Sequence, residues 1–170
     1  RGEENTNILR MPSMQDFVKN FIEAKEFAQK HGRKLYHSAS QLEKVGRKFC
    51  GAAEGNFFVT PDGNITSCLE VSRPEDDMND IFLIGGFDHN QNKFSIDEKK
   101  LALLRSRVVE NVEGCSDCFA EYNCSGDCLA KSYATSRSLF DSRSSFRCEA
   151  NRELLLHEIK QKLKYNEDLK

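Results

Sequence analysis

Seven cysteines constrain this chain more than any other feature: Cys50, Cys68, Cys115, Cys118, Cys124, Cys128 and Cys148. Five of them fall between positions 115 and 148. An odd count leaves one thiol over from any complete disulfide framework. The spacings Cys115-x2-Cys118 and Cys124-x3-Cys128 bring thiolates together over short chain lengths, as metal ligation requires. The opening RGEENTN is charged and has no apolar segment of the kind an export signal needs. Metal ligation is therefore expected in preference to disulfides, and the chain is expected in the cytoplasm.

The donor set leaves the metal open. Structural zinc takes four Cys or His ligands per site. Seven cysteines would fill one all-cysteine zinc site, and a second site would need a histidine. His31, His37, His89 and His157 lie at no ligand-like spacing from a cysteine pair. Each reads as a surface or helix histidine. Iron–sulfur clusters also use Cys thiolates, four for a closed [4Fe–4S] centre. The seven ligands would then serve one closed cluster and one with an open or non-cysteine position. Arithmetic alone does not choose between zinc and iron.

Charge and hydropathy exclude other classes. Lys+Arg is 25 and Asp+Glu is 27, a net charge of -2, without the basic excess of a dedicated nucleic-acid binder. No apolar run approaches the ~18 residues of a membrane span. Twelve Phe and several periodic stretches supply a modest core.

Ser13 is an N-cap candidate for a helix from Met14 to Lys30, with Met14, Phe17, Val18, Phe21, Ile22, Ala24, Phe27 and Ala28 at helical spacing. Gly32 supplies the stop, and Lys34–Ser38 (KLYHS) reads as a short strand. Asn56–Thr60 and Asn64–Cys68 flank Pro61-Asp62-Gly63 and predict a β-hairpin. Pro74–Asp80 reads as a solvated acidic loop, and Ile81–Phe87 as a strand that Gly85 and Gly86 weaken or bulge. Asp97 caps a helix running to Asn111, with Leu101, Leu104, Val108 and Val112 on one face. A final helix, Glu149–Lys164, carries Leu155, Ile159 and Leu163 in register, with Leu154 and Leu156 widening the face. Residues 1–12 read as a polar remnant.

Residues 114–148 are poor in apolar side chains and rich in Ser, Cys and Arg. Bound metal is expected to supply the folding free energy that apolar burial does not. The Ser/Arg-rich stretch Arg137–Arg147 reads as a loop or helix bridging two ligands rather than an RNA-binding tract. No nucleic-acid or membrane partner is expected.

The spacings form one pattern. Twelve residues separate Cys50 from Gly63, and four more precede Cys68. Then come Cys115-x2-Cys118-x5-Cys124-x3-Cys128 and, last, Cys148. This resembles the seven-cysteine SPASM domain, the C-terminal extension of many radical SAM enzymes, and the resemblance spans Cys50–Cys148. The helix 14–30 and the strand 34–38 resemble the end of a radical SAM β/α barrel. The expected class is α+β: a small irregular cluster-binding domain with a hairpin, a further strand and flanking helices. Residues 1–48 would be the barrel's end, 49–148 the cluster domain and 149–170 a C-terminal helix.

The resemblance implies two auxiliary [4Fe–4S] clusters. Cys115, Cys118, Cys124 and Cys148 would hold one, and Cys50, Cys68 and Cys128 would contribute to the other. Gly126 would let the backbone turn and offer N–H groups to a cluster. Residues 51–67 contain no further cysteine, so the second cluster is expected to have an open iron or a nearby carboxylate such as Glu54 or Asp62. The C-x3-C-x2-C motif that cleaves S-adenosylmethionine in the family does not occur, because position 131 is Lys. A β/α barrel needs about 200 residues, far more than precede Cys50. The chain is expected to be the C-terminal part of a larger peptide- or protein-modifying enzyme, with S-adenosylmethionine bound only in the upstream barrel. Electron transfer or substrate anchoring is the expected role. A zinc-stabilised interaction module without redox chemistry is the alternative.

Overall fold

A computed structural model of the chain describes residues 12–141 and 146–167. Helix α1, Met14–Lys30, begins where Ser13 Oγ accepts the Asp16 N–H, and it ends at Gly32 with a φ of 67°. Its apolar stripe is half-buried rather than buried, and Phe27 is exposed. Residues 34–38 form no strand. His37 instead turns its ring edge-on to Phe17 and Phe21, at 5.8 and 5.6 Å. The aromatic stripe of α1 thus uses an irregular segment as its cover. The barrel-like helix–strand pair of the sequence reading is absent from these residues.

The sheet is a four-stranded antiparallel meander in the order β1-β2-β3-β4. Strands β1 (Phe58–Val59) and β2 (Asn64–Thr66) make the expected hairpin. Gly63 at φ 79° closes the turn, its N–H reaching Thr60 O at 2.9 Å. Strand β3 is Leu83–Asp88, two residues later than its expected start. Asn79–Phe82 is a helical turn, α2, because Ile81 and Phe82 both donate to Met78 O at 3.1 Å. The β2–β3 register skips Ile84, pairing Thr66 with Leu83 and Ile65 with Gly85. This bulge sits beside the Gly-Gly pair. Strand β4, Lys93–Ile96, was not expected; it is only four residues long and exposed along its length, with Phe94 and Ile96 alternating with Lys93 and Ser95.

The acidic loop is not merely solvated. Asp76 accepts the N–H groups of Ser72 and Arg73 at 2.7 and 2.9 Å. Asp80 accepts the Tyr133 hydroxyl at 2.5 Å, and Asp77 pairs with Arg137 at 2.9 Å. Tyr133 lies on the helix Leu129–Ser136, so the loop is stitched to the cysteine-rich half.

Helix α3, Glu98–Arg105, is shorter than its apolar pattern suggests. Asp97 caps it through the N–H groups of Lys99 and Lys100. Beyond Ser106 the chain leaves the helix and bends into a 3-10 turn, Val109–Asn111. Asn111 Nδ2 donates to Ser106 O at 2.8 Å, a side-chain bond in place of the next helical turn. Val109 and Val112 are buried there, whereas Val108 is half-buried. Two short helices follow, α4 (Glu121–Cys124) and α5 (Leu129–Ser136). The last helix, α6, runs Phe146–Glu167. Leu154 and Leu155 are buried, but Leu163, expected on the same face, is 58% exposed. Helix α1 lies along α6 from its first residue to Glu158, through Phe17–Phe146 and Lys25–Glu158.

Ala53, Ile65, Val71, Phe82, Ile84, Leu104 and Leu129 form the heart of the core between the sheet, α3 and α5. Phe82 is completely buried. Phe82→Ala is expected to cost about 3–5 kcal/mol, read as a lower denaturant midpoint. A mean change under about 1 kcal/mol would contradict the assignment of Phe82 to the centre of the core.

The α1 contact predicts an acid sensitivity. Burial lowers the His37 pKa below 6.5, Arg147 lowers it further, and Asp127 acts in the opposite sense. Its Nδ1 is buried and has no hydrogen-bond partner among the described residues. The folded state favours neutral His37, so its contribution is fully present above the unfolded pKa of about 6.5 and fades as pH falls through the folded value. A His37→Phe variant should flatten the stability profile below about pH 6.5 relative to wild type. Identical slopes in the two proteins would exclude His37 as the source.

Candidate metal centre

No disulfide joins the seven cysteines, and all are half-buried. They come from turns and helix ends rather than from strands. Cys50 starts the 3-10 turn Gly51–Ala53, and Cys68 follows β2 with its N–H on Thr66 Oγ1. Cys115 and Cys118 share a turn in which the Cys118 N–H donates to Cys115 O at 3.0 Å. Cys124 ends α4, Cys128 is the N-cap of α5 and Cys148 lies in the first turn of α6.

Burial pushes the Cys124 thiol up to about 12; Asp127 adds to the rise, as do Cys115 and Cys148, and Asn151 opposes it. Burial also raises Cys148, with Arg152 opposing and Cys118 adding. Cys68 is raised by burial, with the Glu70 N–H opposing and Cys128, Glu70 and Cys50 adding. Cys128 is raised by burial as well, opposed by the N–H groups of Lys131 and Ala130 and pushed further by Asp127 and Cys50. The cysteines that raise one another fall into two groups: Cys50, Cys68 and Cys128 in one; Cys115, Cys118, Cys124 and Cys148 in the other. The three-cysteine group packs against the sheet core. The second group lies toward α6, where Asn151 Nδ2 donates to Cys124 Sγ at 3.5 Å.

The loop between Cys124 and Cys128 is strained. Ser125, Gly126 and Asp127 have φ of 53°, 74° and 59°, three successive left-handed residues. Such a conformation costs roughly 1–2 kcal/mol per residue other than glycine. The surroundings hold it in place. Ser125 Oγ donates to Gly46 O at 2.8 Å, and Asn123 Nδ2 reaches Gln41 O, Leu42 O and Lys44 O. Asp127 accepts two 2.7 Å bonds from Arg147, the residue before Cys148. A fully buried guanidinium, Arg107, donates Nη1 to Ser125 O at 3.1 Å and Nη2 to Gly126 O at 2.5 Å. Its Nε reaches Leu139 O at 2.9 Å.

Gly126 is therefore required twice over. A Cβ there would stand 2.7 Å from Arg107 Nη1 and 3.1 Å from Val112, at a φ side chains avoid. Gly126→Ala should destabilise the chain by about 1–2 kcal/mol or more, measured by denaturant unfolding. A neutral result would show that the loop rearranges freely.

Asp62 sits in the exposed hairpin turn, and Glu54 is exposed beyond the 3-10 turn at Cys50. The carboxylate that bears on Cys68 is Glu70, whose side chain pairs with Lys131 at 2.7 Å. His31 caps the end of α1, its Nδ1 2.9 Å from Phe27 O, and His89 packs on Phe87. The bridging stretch 137–147 lies only partly within the described residues. Arg107, Asp127, Arg147, Glu70 and Asn151 were not singled out in the sequence. Asn151 carried a usable signal, since it lies three residues after Cys148 and so on the same helix face. Arg107 carried none, because its partners are backbone carbonyls distant in sequence.

Among the described residues, no three His, Cys, Asp or Glu side chains converge on a site for one metal ion. Among the described residues, no helix is long and apolar enough to cross a membrane. Compared with known proteins, the chain matches no protein-family model, and no curated protein matches it.

Proposed function

We propose that this chain is an auxiliary iron–sulfur module of a SPASM-like kind, serving a radical SAM enzyme that modifies a peptide or protein. The observation that carries the reading is seven half-buried free thiols, three packed against the sheet core and the rest toward α6, with the strained loop 125–127 running between Cys124 of one group and Cys128 of the other. Cys115, Cys118, Cys124 and Cys148 would hold one [4Fe–4S] cluster; Cys50, Cys68 and Cys128 would hold the other, leaving an iron for a further ligand. Bound clusters supply one-electron chemistry at potentials set by ligands, hydrogen bonds and burial. The chain's own contribution is to fix the thiols from turns and helix ends, limit water with α1 and α6, and place Arg107 and Arg147 beside them. The radical chemistry itself belongs to an upstream barrel with its own S-adenosylmethionine site.

Anaerobic purification with iron, sulfide and zinc analysis tests the reading. Two clusters predict roughly eight irons and eight sulfides per chain and a brown protein absorbing near ~400 nm. A colourless chain holding stoichiometric zinc and no sulfide would sink it in favour of a zinc-stabilised interaction module.

A further inference from the structure

Among the described residues Arg107 is the largest fully buried side chain. Three of its five N–H donors end on backbone carbonyls, those of Leu139, Ser125 and Gly126. Among the described residues no carboxylate pairs with it. The nearby carboxylate, Asp127, is 8% exposed and already holds both bonds of the Arg147 fork. Two guanidinium groups therefore share one buried carboxylate, Arg107 fully buried and Arg147 half-exposed. A guanidinium does not shed its proton in a protein. The uncompensated positive charge calls for an anion, and the groups that bear on Arg107 include Cys115, Cys124 and Cys128. The first two belong to one thiol group and the third to the other.

We infer that Arg107 is a fixed counter-charge shared by both cysteine groups, clamping the loop between them and raising the reduction potential of each bound cluster. The inference rests on the cluster reading proposed above. Reduction adds one negative charge to a cluster–thiolate unit. A buried cation at fixed distance stabilises that charge far more than an exposed one, because protein interior screens less than water. Carbonyl dipoles pin the guanidinium, so it need not reorganise when the electron arrives. Arg107 is thus a positioning residue for the electronics of the site, and it touches no substrate.

The test is an EPR-monitored potentiometric titration of the anaerobically reconstituted full chain, with dithionite giving its electron to the bound clusters and being oxidised in turn. Arg107→Gln should keep its iron and sulfide while both potentials fall by at least tenfold in the redox equilibrium, about 59 mV for one electron. Arg107→Lys should stay near the wild-type potentials while melting at lower temperature, since it keeps the charge and loses the fork. Asp127→Asn should shift both potentials the opposite way, and this variant leaves Arg107 in place should Arg107→Gln fail to load iron. Wild-type potentials in an iron-loaded Arg107→Gln, or lowered potentials in Asp127→Asn, would overturn the inference. A wild-type chain without iron and sulfide would instead overturn the cluster reading on which it rests.

Discussion

Cys148→Ala in the anaerobically reconstituted chain is expected to bind roughly four irons instead of roughly eight, with one cluster signal lost and the other kept. The reason is placement. Cys148 opens α6 and bears on Cys118, and Cys124 in turn feels Cys115 and Cys148. Cys50, Cys68 and Cys128 stand against the sheet core; Cys50 and Cys68 sit in turns at the sheet, and α6 reaches the loop before Cys128 through Arg147 on Asp127. Removing one thiolate from a closed set leaves an iron without its anionic ligand in a half-buried site. Cys68→Ala should give the complementary result, sparing the cluster of Cys148. Iron counting combined with EPR of the reduced protein separates the cases. Loss of both clusters in both variants would mean that the groups assemble as one unit; loss of the three-cysteine signal alone in Cys148→Ala would reverse the assignment.

Stripping the metal anaerobically with a chelator is expected to loosen residues 114–141 before the sheet. This half buries few large apolar side chains: Ala120, Leu129, Ala130 and Leu139. It also retains three left-handed residues in sequence and a buried guanidinium, Arg107, held by backbone carbonyls. The sheet side keeps Phe82, Ile84, Ile65 and Leu104 whatever the metal content. Hydrogen exchange should show protection falling by at least about tenfold, or 1.4 kcal/mol, in 114–141 while β2, β3 and α3 change little. Uniform protection in the apo form would show that packing alone holds the cysteine-rich half. Metal loading should also weaken in mild acid, because ligation must displace protons from thiols that burial already raises.

Much of the local structure was legible from residue order. Ser13 and Asp97 announce their helices because a short polar side chain at the N-cap satisfies N–H groups the helix leaves open. Pro61-Asp62-Gly63 announces the hairpin because only glycine takes φ 79° at little cost. The helix after Asp97 was read too long. Leu104, Val108 and Val112 continue a helical period, but Arg107 is drawn inward to carbonyls of Ser125, Gly126 and Leu139 and the chain breaks to follow it. The strand at 34–38 was misread for a related reason. Tyr36 is exposed, and His37 is used as an aromatic cover for α1 rather than as a rung of a sheet.

Seven thiols and their spacing are properties of the order of residues, because ligand chemistry is carried by side-chain type and short loops limit separation. The surroundings of those thiols depended on the folded chain. Arg107 and the carbonyls it grips are separated by 18 to 32 residues, and Asp127 and Arg147 by 20. No local period or propensity encodes such meetings. A buried charge finds its place only when distant backbone and side-chain groups converge to solvate it, and that convergence is a product of tertiary packing.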